Sequence, residues 1–110
     1  MYVVYIDSEC VGRGDDKLGA TLMKGSLEVL SVAEELPDKM MFVNSGVKLI
    51  SELSESLEPL KRMEDKGVSI IVCRTCLDYY KLIDKVAVGS ISNTFEIINT
   101  MIKADKVIKI

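Results

Sequence analysis

Five short apolar runs, each followed by a segment long enough for a helix or by a turn into one, constrain this chain more than any other feature. They span residues 2–6, 40–43, 68–72, 86–88 and 107–110. The runs are almost continuously apolar and rich in Val and Ile, without the alternation of a strand that keeps one face in water. Strands of that kind are buried on both sides. With helix-length connections between them, they predict a mainly parallel five-stranded sheet with helices on each side and right-handed crossovers.

The connections carry their own punctuation. Asp15 or Asp16 is placed to cap a helix carrying Leu18, Leu22, Gly25, Val29, Ala33 and Leu36 at helical spacing, stopped by Pro37. A second helix is expected over 52–66 with Leu53, Leu57, Leu60 and Met63 on one face, and Pro59 as a kink or break. A short helix over 77–83 and a last one to about residue 104 complete the set. Ser92 or Asn93 caps the last, and Phe95, Ile98 and Ile102 form its inward face. At 110 residues, 48% hydrophobic and 28% charged, the chain suits one packed domain, residues 1–110.

Composition excludes several functions. No apolar run approaches the ~18 residues of a membrane span. The chain opens in a strand without a charged leader, so a cytoplasmic location is expected. Fourteen basic residues scattered among seventeen acidic ones, net charge −3, make no phosphate-neutralising stripe, and no nucleic-acid partner is expected. There is no histidine, which removes Ser-His-Asp and Cys-His nucleophiles and imidazole proton shuttles. Three cysteines make neither a disulfide framework nor the four ligands of a structural zinc, so they are read as thiols. Neither a metal nor a cofactor is called for.

Parallel sheets bind ligands beyond the carboxyl ends of their strands. Four loops are expected at that rim, 7–16, 44–48, 73–76 and 89–93, and they hold all three cysteines. The sharpest motif is Cys73-x-x-Cys76, with one thiol at a strand end and the other at a helix start. Backbone amides there, with Arg74 between the sulfurs, favour a thiolate. A drop in thiol pKa from about 8.5 to about 7 raises the thiolate fraction from roughly 3% to roughly 50% at neutral pH. Nucleophilicity falls in step, with a Brønsted coefficient of about 0.4–0.5, leaving a net gain of about three-fold and a better leaving group. The same spacing also fits a buried strand-end Cys73 and a Cys76 packed under its helix, or a redox pair. A disulfide exchanger of the thioredoxin kind fits poorly, because the motif follows the third strand.

Other residues admit two readings. Cys10 reads as a loop thiol. Gly12-x-Gly14 is a fragment of a phosphate loop, but Asp15 and Asp16 would repel an anion and read as caps. Asn44, Ser45 and Lys48 either present polar groups beside the cysteines or belong to a turn with Gly46 at positive φ. Asn93 is a helix cap or faces the site.

Four segments in order carry a resemblance: Gly12-Arg13-Gly14-Asp15-Asp16-Lys17-Leu18-Gly19, Asn44-Ser45-Gly46-Val47-Lys48-Leu49, Cys73-Arg74-Thr75-Cys76-Leu77-Asp78-Tyr79 and Val88-Gly89-Ser90-Ile91-Ser92-Asn93. Together they resemble the C-terminal, DsrE-like domain of the YedF family, a group associated with selenium metabolism, over essentially the whole chain. The resemblance implies a three-layer α/β/α sandwich, assembly into trimers or hexamers, and a persulfide on the cysteine ending the third strand, here Cys73. Cys76 would then assist, Arg74 and Lys48 supply positive charge, and Thr75, Asn44, Ser45 and Asn93 line the substrate pocket. This chain departs from the family at Arg74, where Gly is common, and at Thr94-Phe95, where a Met-aromatic pair is common. YedF-like proteins usually carry an N-terminal TusA-like domain with its own cysteine, so a TusA-like sulfur carrier is expected in trans. The leading expectation is a sulfur or selenium carrier with sulfurtransferase character. A non-catalytic assembly or regulatory subunit, docking through residues such as Leu77, Tyr79 and Tyr80, and a CxxC redox sensor are its rivals.

Overall fold

Each apolar run becomes a strand or leads into one. The computed structural model describes residues 1–110. Strands β1 (Tyr2–Ile6), β2 (Lys39–Phe42), β3 (Ser69–Cys73), β4 (Ser90–Ser92) and β5 (Lys106–Lys109) form one sheet, ordered β4-β3-β2-β1-β5 and parallel throughout. The crossovers are α1 (Asp16–Ser31), a 3₁₀ segment (Asn44–Ile50) followed by α2 (Leu57–Asp65), α3 (Arg74–Tyr79) and α4 (Thr94–Lys103). This is the α/β fold expected from the sequence.

Topology decides how the two faces are covered. Three successive crossovers step the same way across the sheet, so right-handed connections put α1, the 3₁₀ segment, α2 and α3 on one face. The last crossover returns across the whole sheet, which leaves α4 alone on the other. The cores follow this division. Val4, Ile6, Met40, Phe42, Ile70 and Val72 pack against Met23 and Leu27 of α1, Leu60 and Met63 of α2, and Leu77 of α3. The fully buried residues of the second face are Val3, Met41, Ile71, Cys73 and, from α4, Ile97.

Two helices turn a different face inward from the one expected. In α1 the buried residues are Gly19, Met23, Leu27 and Ser31, while Leu18 and Val29 stay 57% and 71% exposed. Both stripes have helical spacing, and local contacts select between them. A Cβ on Gly19 would stand 2.7 Å from the Cβ of Cys10, so that face approaches more closely than a larger residue permits. Ser31 is satisfied there by Arg62 Nη1, which donates at 2.7 Å, and Arg62 also pairs with Glu28 and Glu58. In α4 the expected inward residues Phe95, Ile98 and Ile102 point outward, and Ile97 and Thr100 are buried instead.

Two boundaries also move. The second helix begins at Leu57 rather than 52, so Leu53 is exposed and Pro59 falls in the first turn, where a missing N–H costs nothing. Residues 51–52 are held elsewhere: Ser51 bridges Val86, and Glu52 N donates to Lys85 O at 3.0 Å. The run 86–88 is spent on that crossing, so β4 starts only after Gly89 (φ 89°). Gly89 and Ser90 therefore precede or open β4 instead of lying at its carboxyl end, and only Ser92 and Asn93 reach the rim beside Cys73.

Candidate functional site

The side-chain alternation of β3 fixes where its last residue points. Ile70 and Val72 face the larger core, Ile71 and Cys73 the smaller one beneath α4. Cys73 is consequently 3% exposed. It is also the N-cap of α3, which starts at Arg74 with no loop between, three residues earlier than the sequence pattern places it. This start makes Cys76 the third helical residue. N-cap and third residue are the positions whose side chains meet at a helix start. Cys76 is half-buried and packs against both cores, beside Cys73. All three cysteines are free thiols.

The second contribution comes from the 3₁₀ segment. Asn44 N donates to Cys76 Sγ at 3.0 Å. The left-handed residue is Asn44 (φ 49°), not Gly46, and Asn is among the residues that tolerate this conformation. Gly46 is needed for a different reason: a Cβ there would sit 2.6 Å from the Ile6 carbonyl oxygen, so only glycine lets the segment lie against the end of β1. Tyr80, the residue that caps α3, donates through its hydroxyl to Asn44 Oδ1 at 2.9 Å. The sulfur pair is thus clamped between the ends of two crossovers.

Electrostatics differ from the sequence expectation. Burial pushes the Cys76 thiol above its ordinary pKa, the neighbouring Cys73 thiol adds to the rise, and the Asn44 amide opposes it. Arg74 does not offset this, since it is 67% exposed and its Nε faces Asp78 at 4.0 Å. Lys48 stands over the Tyr80 ring, 4.7 Å from its centroid, and pairs with Glu9 at 3.5 Å. Both are surface pairs of small energetic weight. Thr75 is exposed in the first turn of α3, and Asn93 caps α4, its Oδ1 accepting from Glu96 N at 2.9 Å. Ser45 Oγ accepts from Glu9 N at 3.2 Å and so braces the first loop. Of the residues singled out in the sequence, the structure brings Cys73, Cys76 and Asn44 together, with Ser45 and Lys48 one step away.

Tyr5 is the neighbour that the sequence reading missed. Burial leads in raising its phenol pKa, followed by Asp7 and the two thiols, so it stands as a neutral phenol near the pair. Strand alternation places it on the α4 face, like Val3, and its register partner Met41 pairs with Ile71. That chain of neighbours is the signal through which it was accessible. Cys10 belongs elsewhere: its thiol donates to Asp16 O at 3.3 Å, and it lines an open cleft of about 1570 Å³ with Arg13, Lys17, Ser45, Lys48 and Tyr80. That cleft lies beside the sulfur pair but is not lined by it.

A five-stranded parallel sheet with two free thiols at the end of its third strand defines the class: a small single-sheet α/β protein with a cysteine pair at its carboxyl rim. A family model described as the DsrE/DsrF-like family matches residues 21–110, and the chain belongs to that family, one generally associated with sulfur relay. Among solved structures, the chain is similar to the ychN protein from E. coli (TM-score 0.66, 15% identity, covering 98% of this chain and 97% of that one). It is also similar to a protein of unknown function from Methanobacterium thermoautotrophicum (TM-score 0.65, 17% identity, 99% and 97% covered). At these identities the likeness is one of fold. No curated protein sequence matches the chain. No helix is long and apolar enough to cross a membrane.

Proposed function

We propose that this protein is a cytosolic sulfur carrier of the YedF type, with sulfurtransferase character, holding a sulfane sulfur as a persulfide at the Cys73–Cys76 pair. Selenium would ride the same thiol chemistry. One observation carries the reading: two free thiols sit at the carboxyl rim of the sheet, one as the N-cap and one as the third residue of the same helix, with a backbone N–H directed at the half-buried one. An N–H donated to Cys76 Sγ stabilises negative charge on the thiolate that attacks a sulfur donor. Intact-protein mass spectrometry after exposure to a sulfane-sulfur donor tests it. Sulfane sulfur taken from the donor is expected, held as one added sulfur atom that reductant removes or discharged as sulfide with loss of two hydrogens from the chain, and neither outcome under any donor would overturn the reading in favour of an assembly subunit.

Two partners belong to the same proposal. One is a TusA-like carrier in trans, delivering or receiving the sulfur. The other is further copies of this chain, in a trimer or hexamer. The outer face of α4 supports the second, because Phe95 and Ile102 are 80% and 75% exposed, Ile98 is 46% exposed, and no charged residue lies between them on that stripe. Large apolar side chains contribute roughly 1.5–3 kcal/mol each when fully buried, and contiguous exposed patches of this kind mark protein contacts. A second copy supplies a neutral apolar face of matching character, namely its own α4.

A further inference from the structure

The two thiols are not equivalent, and their inequality has a direction. Cys73 is 3% exposed beneath Ile97 and Met41, whereas Cys76 is half-buried at the junction of the two cores. A donor arriving from solvent meets Cys76 first. The Asn44 amide is directed at the Cys76 sulfur and not at Cys73. Both thiols pack in the smaller core, where Cys73 is the N-cap of the helix that carries Cys76. Their spacing, N-cap to third helical residue, is one that a disulfide can close.

We infer that Cys76 is the accepting thiol and Cys73 a buried resolving thiol, so that the pair releases the sulfur it takes up as sulfide. This rests on the carrier reading above, deepens it, and reverses the order of reaction expected from the family resemblance. In the first step Cys76 Sγ attacks the sulfane sulfur of a donor persulfide. The bond from Cys76 Sγ to that sulfur forms, the donor S–S bond breaks, and the donor leaves as a thiol carrying the proton that Cys76 gives up. In the second step Cys73 Sγ attacks Cys76 Sγ. The Cys73–Cys76 disulfide forms, the bond to the outer sulfur breaks, and the outer sulfur leaves as hydrogen sulfide with the proton from Cys73. The two cysteine sulfurs are oxidised together by two electrons, and the sulfane sulfur is reduced by two. A dithiol reductant then restores both thiols and leaves as its own disulfide.

The arrangement makes the carrier self-clearing. A persulfide on Cys76 has two fates, capture by an acceptor thiol from solvent or internal displacement by Cys73 from below. An acceptor that docks quickly receives sulfur, and in its absence the sulfur is discharged and the pair waits as a disulfide for reduction. Thiol–disulfide exchange of this kind needs the attacking thiolate to be accessible to its target rather than to solvent. Cys73 meets that condition while remaining sealed from bulk reagents.

The test is a single-turnover reaction of the full chain with glutathione persulfide, reading sulfide released and the intact mass of the protein. Wild type is expected to release one sulfide per chain and lose two hydrogens. Cys73→Ala, with Cys73→Ser as a second variant should the alanine weaken the fold, is expected to gain one sulfur atom, keep it, and release no sulfide. Cys76→Ser is expected neither to take sulfur nor to release it. Sulfur found on Cys73 in Cys76→Ser at the wild-type rate would overturn the assignment while leaving the carrier reading intact. A wild-type persulfide that persists with no disulfide would do the same to the resolving role. Uptake by no variant, wild type included, would sink both the assignment and the carrier reading on which it stands.

Discussion

The backbone N–H of Asn44 and the Sγ of Cys76 lie 3.0 Å apart, although they belong to different crossovers thirty-two residues distant in sequence. The reactivity of the sulfur is therefore set by the 3₁₀ segment after β2 as much as by the helix that carries it. Tyr80 holds this contact from the side by donating to Asn44 Oδ1 at 2.9 Å. Tyr80→Phe removes that donor and should cost about 0.5–1.5 kcal/mol, toward the lower end because the bond is exposed. With Asn44 less well held, the amide stabilises the Cys76 thiolate less, so iodoacetamide should modify Cys76 more slowly at neutral pH. An unchanged rate in a folded variant would show that the tyrosine does not position Asn44.

The acid–base behaviour of Cys76 has a definite sign. Burial and the neighbouring Cys73 thiol raise its pKa above the ordinary thiol value. The folded chain thus keeps a proton that the unfolded chain loses first. That contribution to stability is present below the ordinary value and is lost as pH rises through the folded one. The pH–rate profile for alkylation of Cys76 should have its midpoint above the ordinary thiol value, and Cys73→Ala should move it down. A midpoint below it in wild type would contradict the desolvated setting.

Gly46 faces a backbone carbonyl, not a flexible side chain. Gly46→Ala places a methyl group 2.6 Å from Ile6 O, and neither segment can yield without disturbing β1 or the Asn44 contact. A loss of about 1–3 kcal/mol is expected for such overpacking, read from urea unfolding, together with altered Cys76 reactivity. A variant as stable as wild type would mean that the 3₁₀ segment is free to shift.

Asn93 separates capping from sulfur chemistry. Its Oδ1 accepts from Glu96 N at 2.9 Å, so Asn93→Ala should destabilise the fold by about 0.5–2 kcal/mol. Sulfur loading on the cysteine pair should be unchanged. Loss of loading at full stability would return Asn93 to the site.

The two sides of α4 should respond differently. Phe95→Asp with Ile102→Asp alters only exposed positions. It should leave the unfolding midpoint of dilute protein nearly unchanged and shift sedimentation toward the monomer. Ile97→Ala empties a buried position and should cost about 2–5 kcal/mol. Identical sedimentation of the double variant and wild type would remove this face from the assembly proposal.

Much of the fold was legible because continuous apolar runs admit few arrangements. Strand number, parallel order and the Asp15 and Asn93 caps all follow from local chemistry that the structure repeats. What was not legible depends on partners distant in sequence. Leu18–Leu22–Val29 and Gly19–Met23–Leu27 are both helical stripes, and only contacts with Cys10 and Arg62 choose between them. In α4, Phe95, Ile98 and Ile102 look like a core face when read alone, yet a sheet face covered by one helix has room for Ile97 and its neighbours only. The thiol pair was visible as a motif. Its unequal burial was not, because that follows from α3 starting directly on Cys73, and a loop had been expected there. Asn44 was singled out for its side chain, whereas its backbone N–H makes the contact to sulfur.

The return of the last crossover across the sheet has a consequence for biosynthesis. Strand β5 is held by β1 alone, with Tyr2 facing Lys106 and Tyr5 facing Lys109, and Asp105 N donates to Met1 O at 2.9 Å. Strand β1 thus leaves the ribosome before β5 and waits for it before that edge is paired, and the smaller core stays open until α4 arrives to close it. Contacts that join distant parts of a chain slow folding and leave strand edges unguarded meanwhile. During that interval Cys73 lacks the cover that Ile97 gives it in the finished fold, so the order of synthesis leaves the sheltered thiol less protected than its final burial makes it.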